Sequence, residues 1–462
     1  MSRMTGTADT DLSAVNGAFR EHARKDERLL SRSTFSEIDR ANPMLHYALQ
    51  PWPTFVGPRV MGQMGTVAVR LSQLIRQIPE RAFANDPVRI GRHFDLDPDF
   101  VAASLAPPNG IAGAVSRADF VLTASGFRCI EFNIASSLGG WESGILADML
   151  LRVPAMQGFL REREVAFTNR SPVRELFRHV IREAVAQDRP EGGILNVGIG
   201  LRTAATEQSG RRLNAYLGSE YRAMLKEIAP ALQGNLLLCH YPTLTERDGR
   251  ILLHGTPVHS LLEWHNLGTE ASVFRALKAG TLEVYNGPAA LILADKRCIA
   301  ILSEQAENGA LDPADRDLVR AHVPWTRRVL DGTTVYRGEE VSVPDLVTSE
   351  RPRLVLKKGK ATSAGGSDVV LGRTSTDAAW GEALRRALTE GDWLVQELVE
   401  SLPFLYQSGL HGCSPHDAIW GPFVFGSTFA GAGLRVQPKA KEGIVNLHRG
   451  ATVGIVLEVE SD

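Results

Sequence analysis

Between residues 110 and 135 the apolar positions Val121, Leu122, Phe127 and Ile130 flank a Thr123-Ala124-Ser125-Gly126 turn, which predicts two strands joined by a short loop. Strand side chains alternate faces, so Arg117 and Asp119 point one way on the first strand, and Glu131 and Asn133 share a face on the second. Upstream, Met61, Met64, Ala68, Leu71, Leu74, Ile75 and Ile78 recur at helical spacing and predict one amphipathic helix, with Arg70, Arg76 and Gln77 outside. Residues 145–151 read as a helix ended near Pro154, and Ser171 as the cap of another with Pro172 in its first turn. A buried-strand pattern at 194–200, a helix through 220–225 and a strand at 236–239 form a βαβ unit, whose sheet should be parallel. Asp248-Gly249 marks a hairpin turn. Beyond Asn286 come a strand at 353–357, a Gly-rich loop at 361–372, a helix from about Thr376 closed by Gly391, and a strand at 393–397.

These elements fall into lobes, as 462 residues exceed one ordinary core. Residues 1–30 are polar and expected to be flexible, helical only on docking. The remaining divisions are 31–190, 191–285 and 286–462. A formal charge of −2 gives no sequence-wide basic field, which argues against a nucleic-acid partner. The four cysteines, Cys129, Cys239, Cys298 and Cys413, contain no CxxC pair, and read as reduced, mostly buried thiols of a cytoplasmic protein. No apolar run approaches the roughly 20 residues of a membrane helix and no signal peptide is visible, so no membrane association is expected.

The candidate chemistry starts at the first hairpin. Asp119, Glu131 and Asn133 form an oxygen-rich cluster beside Arg117, and hard ions such as Mg2+ take such oxygens together with substrate phosphates. The bland alternative is a salt-bridged hairpin with Arg117 paired to Glu131. Lys357 ends a strand before the small-residue loop containing Gly365 and Gly366, a candidate phosphate lid but no Walker A motif; a surface hairpin with solvated lysines is the competing reading. Lys296 supplies a second cation, and Gln396, Glu397 and Val399 leave a strand where an adenine edge could pair. His254, His259, His265 and Glu263 read as pocket lining or core hydrogen bonding rather than a metal site. The near-GxGxxG at 198–203 ends in threonine, a weak dinucleotide signal. Residues 411–417 read as an edge loop rather than a Cys/His nucleophile site.

Taken in order, RxD, a Glu twelve positions after the Asp within ExN, a lysine near Asn-Gly-Pro, Val-Leu-Lys-Lys-Gly with a glycine loop, and Trp-Leu-Val-Gln-Glu resemble the circularly permuted ATP-grasp enzymes, including the glutathionylspermidine synthetase-type amide ligases. The resemblance spans about residues 110–450. It implies an α/β fold of α+β lobes: a metal-binding half of ATP-grasp in 31–190, a parallel βαβ pre-ATP-grasp-like domain in 191–285, and an ATP-binding half with lid and C-terminal core strands in 286–462. It implies ATP and Mg2+ as cofactors. Asp119, Glu131 and Asn133 would be metal ligands, Arg117 and Arg435 catalytic, and Lys296, Lys357, Gly365, Gly366, Gln396, Glu397 and Val399 nucleotide-binding. The activity implied is ATP-dependent joining of a carboxylate to an amine through an acyl phosphate, on a small-molecule or peptide substrate. A non-catalytic nucleotide binder and a phosphotransferase on the same fold are the alternatives, and the oligomeric state is open, a homodimer being one possibility. The chain departs from these relatives at 134–141, where an Asp-Thr-Pro is replaced, and in the hairpin segment 258–264, where an arginine is missing.

Overall fold

The structure, a computed structural model, describes residues 12–25, 47–106, 111, 113–135, 138–141, 143–201, 204–263, 271–360, 368–408 and 412–460. Within the polar N-terminal stretch, helix α1 (Val15–Lys25) docks by burying Phe19 against Trp52, Phe55 and Phe159. The predicted amphipathic helix is α2 (Pro58–Arg76), with Pro58 at its start and Met61, Met64, Ala68, Leu71, Leu74 and Ile75 buried. It stops before Ile78, because Pro79 lacks the amide a continuing helix needs, and Ile78–Phe83 forms a separate short helix. Helix α3 (Pro172–Ala186) begins after Ser171 as read, but the serine hydroxyl makes no capping bond. Ser171 is instead buried against Gly144, where an added Cβ would come within 2.6 Å of its Oγ.

The first hairpin pairs β1 (Val115–Thr123) with β2 (Gly126–Ile134). Its register sets Arg117 opposite Asn133 and Asp119 opposite Glu131, then shifts so that Phe120 faces Cys129. Ile130 is the extra residue of this bulge. The parallel unit follows: β3 (Val197–Leu201), helix α4 (Ala204–Ile228), β4 (Leu236–His240), β5 (Ser260–Glu263) and β6 (Glu283–Tyr285), in sheet order β6-β5-β3-β4. The Asp248-Gly249 turn lies in a three-stranded meander inserted between β4 and β5. Residues 258–263 are therefore no hairpin: Val258 closes the meander, and 260–263, buried on both faces, runs parallel inside the sheet.

Past helix α5 (Arg297–Glu307), strands β7 (Thr326–Arg328), β8 (Leu354–Lys358), β9 (Val369–Leu371) and β10 (Trp393–Glu397) make an antiparallel sheet in the order β7-β10-β8-β9. The chain then returns to its beginning. Strands β11 (Gly412–Phe425) and β12 (Thr428–Pro438) form a hairpin, and β11 pairs with β1, so β12, β11, β1 and β2 lie side by side with β2 at the edge. Residues 412–417, expected in a loop, belong to β11. One face of this sheet carries Ser116, whose hydroxyl meets Ser72 of α2 at 3.3 Å. The opposite face carries Arg117, Asp119, Glu131 and Asn133, as strand alternation requires.

Candidate functional site

On that open face Asp119 is the most enclosed group, 6 % exposed. Its Oδ1 accepts from Arg117 Nε at 3.0 Å and lies 3.0 Å from Nη2, and its Oδ2 lies 2.7 Å from Arg435 Nη2 on β12. Burial alone would raise the Asp119 pKa, but the two guanidiniums outweigh it and hold the carboxyl below its ordinary value. Gly421 makes this crossing possible. It lies on β11 between the two arginine-bearing strands, and an added Cβ would meet Arg117 Cδ at 2.9 Å. Gly433 pairs with Gly421, and the carbonyl of Gly140, itself at φ +94°, lies 3.2 Å from where a Gly433 Cβ would stand. The segment 138–141 thus lies over a glycine groove, and the Gly139 carbonyl accepts from Arg117 Nη1.

Glu131, directly opposite Asp119, is partnered differently. Its Oε1 is 3.7 Å from Lys296 Nζ, and its side chain keeps 26 % of its surface exposed. The salt-bridged hairpin that pairs Arg117 with Glu131 does not form; each acid has its own cation. Asn133 leans its amide nitrogen on the Arg117 carbonyl at 3.5 Å, which leaves the carboxamide oxygen for another partner.

The second sheet and the head of α5 bring the lysines. Lys357 near the end of β8 donates to the Ile130 carbonyl at 3.1 Å and to Gln396 Oε1 at 2.8 Å. The bulge in β2 supplies that acceptor, since the extra residue is left out of the ladder. Burial pushes the Lys357 pKa down to about 8, with Glu131 pulling it up and Lys296 pushing it down. Lys296 precedes α5, and its backbone amide donates to the Gly359 carbonyl at 3.1 Å, tying the helix start to the base of the Gly-rich loop. Glu131, Lys296, Thr326, Lys357 and Gln396 line one small pocket between the two sheets, of about 10 Å³, room for one water. Lys358 and Lys360 turn away, to Glu390 at 3.1 Å and Asp95 at 3.4 Å.

Two residues do other work than the sequence implied. The Gln396 side chain, 2 % exposed, is occupied between Lys357 and Thr326 Oγ1 at 3.0 Å, and its strand is paired on both sides. The amides of Glu397 and Leu398 donate to Trp325 and Arg353 carbonyls at 2.9 and 2.7 Å, and Val399 is the next residue along. The Glu397 carboxylate accepts from Tyr336 Oη at 3.1 Å and lies 3.4 Å from Arg337 Nη2. Gly365 and Gly366 lie outside the described residues, as does His265.

Sequence reading missed Thr326 and Arg297. Arg297, fully buried, binds Asp295 and Asp95 at 2.8 Å each and donates to the carbonyls of His93 and Phe94. Its Cγ packs where a Gly359 Cβ would stand, so it fixes both Lys296 and the loop base. The lone signal was an arginine at the head of a helix whose next five residues, Cys298 to Leu302, are apolar. Among the described residues no three of His, Cys, Asp and Glu stand together as a metal cluster. His259 uses its Nδ1 to accept the Asn196 amide at 2.9 Å, the core hydrogen bond expected of it. Gly198 and Gly200 sit inside β3, where a Cβ would strike Cys239 Sγ at 2.7 Å and Tyr241 Oη at 2.2 Å; they serve close packing rather than a phosphate turn. All four cysteines are free, three of them buried, and no helix among the described residues is long and apolar enough to cross a membrane.

No protein-family model matches the chain, and no curated protein matches it in sequence. Among solved structures it is similar to a glutathione synthetase like-effector, GSS30, from Globodera pallida in its apo form, with a TM-score of 0.53 and 9 % identity, over 89 % of this chain and 90 % of that one. The fold is glutathione synthetase-like. At that identity the likeness speaks for the architecture alone, an ATP-grasp-like arrangement of α/β lobes. The glutathione synthetase-like fold thus holds one acid-bearing sheet and one lysine-bearing sheet against a common cleft.

Proposed function

We propose that the chain is an ATP-dependent ligase that joins a carboxylate to an amine on an amino acid or short peptide. The observation that carries this reading is the convergence of Glu131, on a strand face shared with Arg117 and Asn133, with Lys357 from a second sheet and Lys296 at the head of α5. Such a set neutralises a triphosphate and aligns an acceptor, and ligation through an acyl phosphate needs no protein nucleophile. A substrate carboxylate oxygen attacks the γ-phosphorus, and the bond from that phosphorus to the bridging oxygen breaks as ADP leaves with its electron pair. The amine then attacks the acyl carbon, inorganic phosphate departs with the C–O pair, and the amine loses a proton. Lys296 and Lys357 hold the phosphates, Arg117 stabilises the transferring group, and the main chain at Val399 meets the base edge.

The donors fit a hard divalent ion. Glu131 and Asn133 offer a carboxylate and a carboxamide oxygen on one strand face, and would hold magnesium, which supplies charge neutralisation at the phosphates when bound. The order of the halves, acid-bearing hairpin first and lysine-bearing sheet later, supports a circularly permuted arrangement. The test is ADP release against a panel of amino acids and short peptides offered as acids with a panel of amines, with mass detection of the amide. Release that requires both partners and yields an amide is expected. A phosphorylated product formed without amine indicates a phosphotransferase, and nucleotide binding with no turnover on any pair indicates a non-catalytic relative.

A further inference from the structure

We propose that Asp119 is the anchor of a two-guanidinium anion site formed by Arg117 and Arg435, and that the cation seat is confined to Glu131 and Asn133; this rests on the ligase reading above. Both Asp119 oxygens are taken by guanidinium groups, Oδ1 by Arg117 and Oδ2 by Arg435, at 2.7 to 3.0 Å. The carboxylate is 6 % exposed, and its strand is flanked by neighbours on both sides. A divalent ion entering here would have to displace one of two guanidiniums whose side chains are only 13 and 19 % exposed, breaking a largely buried pair, which is costly. The surrounding backbone is shaped for the arginines: Gly421 gives Arg117 its room, and the Gly139 carbonyl holds its far nitrogen.

Glu131 has none of this. It lies on the edge strand, and among the described residues its ion pair is with Lys296 at 3.7 Å, with a quarter of its side chain exposed. Arginine carries five N–H donors in a planar fork. Arg435 spends its described contact on Asp119, so among the described residues the rest of its fork is available to a tetrahedral oxyanion of the phosphoryl or acyl-phosphate class. Asp119 is therefore a positioning residue: it sets the spacing of two cations that meet the transferring group.

Manganese(II) binding in the presence of a non-hydrolysable ATP analogue, read by electron paramagnetic resonance, separates the two roles. Glu131→Gln is expected to weaken manganese binding by about tenfold or more, a loss of about 1.4 kcal/mol or greater. Asp119→Asn is expected to leave it within about threefold, while lowering kcat with little change in the KM for ATP. If Asp119→Asn weakens manganese as much as Glu131→Gln, the anchor role is wrong and the ligase reading stands. If neither variant changes manganese binding, the cation seat fails and both readings fall together. Should Asp119→Asn not fold, Arg435→Gln carries the test. An anchor predicts unchanged manganese affinity with a lower kcat, whereas a ligand freed from its competitor predicts tighter manganese.

Discussion

Asp119 and Glu131 face each other across one pair of strands, yet the two ends of that pair are different chemical places. Asp119 lies on an interior strand and meets arginines from its own strand and from β12, two strands away. Glu131 lies on the edge strand, where the neighbouring space belongs to another sheet and is filled by lysines. Position in the sheet, more than residue type, decides which acid is locked and which stays able to exchange partners. The same contrast holds between the lysines: Lys357 points into the cleft, where burial lowers its pKa to about 8, whereas Lys358, its chain neighbour, points to Glu390.

The largest effect expected is at the exchangeable acid. Glu131→Gln should lower turnover by on the order of 100- to 1000-fold, measured as ADP release, with thermal unfolding unchanged; near-normal turnover would erase the contrast with Asp119. Next comes Arg297→Ala, which strands Asp295 in the core and should cost about 3–5 kcal/mol in urea unfolding. A loss under about 1 kcal/mol would mean that the Lys296 side of the cleft is not braced by this network. Gly421→Ala should destabilise by about 1–3 kcal/mol and lower kcat, since its methyl displaces Arg117 from Asp119. The same change at Gly62 of α2, where a Cβ meets nothing within 4 Å, should stabilise by about 0.4–1 kcal/mol.

Proton linkage gives a subtler contrast. Lys357 loses its proton as pH rises through about 8, and phosphate binds the charged form. ATP affinity should therefore be flat below that pH and fall above it, approaching tenfold per unit; Lys357→Arg, charged throughout, should flatten the profile. The smallest effect belongs to Lys358→Ala, whose largely surface pair with Glu390 is worth about 0–1 kcal/mol, with no change in ATP affinity.

Much of this was legible in the chain. Strand alternation alone put Arg117, Asp119, Glu131 and Asn133 on one face, and the βαβ spacing called for the parallel sheet that β3 to β6 form. What escaped reading depended on contacts distant in sequence. Arg435 meets Asp119 because β11 returns to pair with β1, which no local pattern encodes. The bulge at Ile130 falls in a run with no glycine or proline to mark it, yet it supplies the carbonyl that Lys357 binds. Gln396 looked like a hinge residue because it ends a strand, but its side chain lies on the inner face and serves Lys357. Residues 260–263 were read with the preceding hairpin, since a short apolar run cannot announce whether its partners are parallel or antiparallel.

The claim underneath all of this is that the acid-bearing and lysine-bearing sheets form one nucleotide site. Calorimetric titration of Mg-ATP into the wild-type protein and into the Lys296→Ala/Lys357→Ala double variant addresses it most directly. Saturable binding that is weakened at least about tenfold in a folded double variant is the predicted result. Equal affinity in the two proteins would place the nucleotide elsewhere and contradict the account.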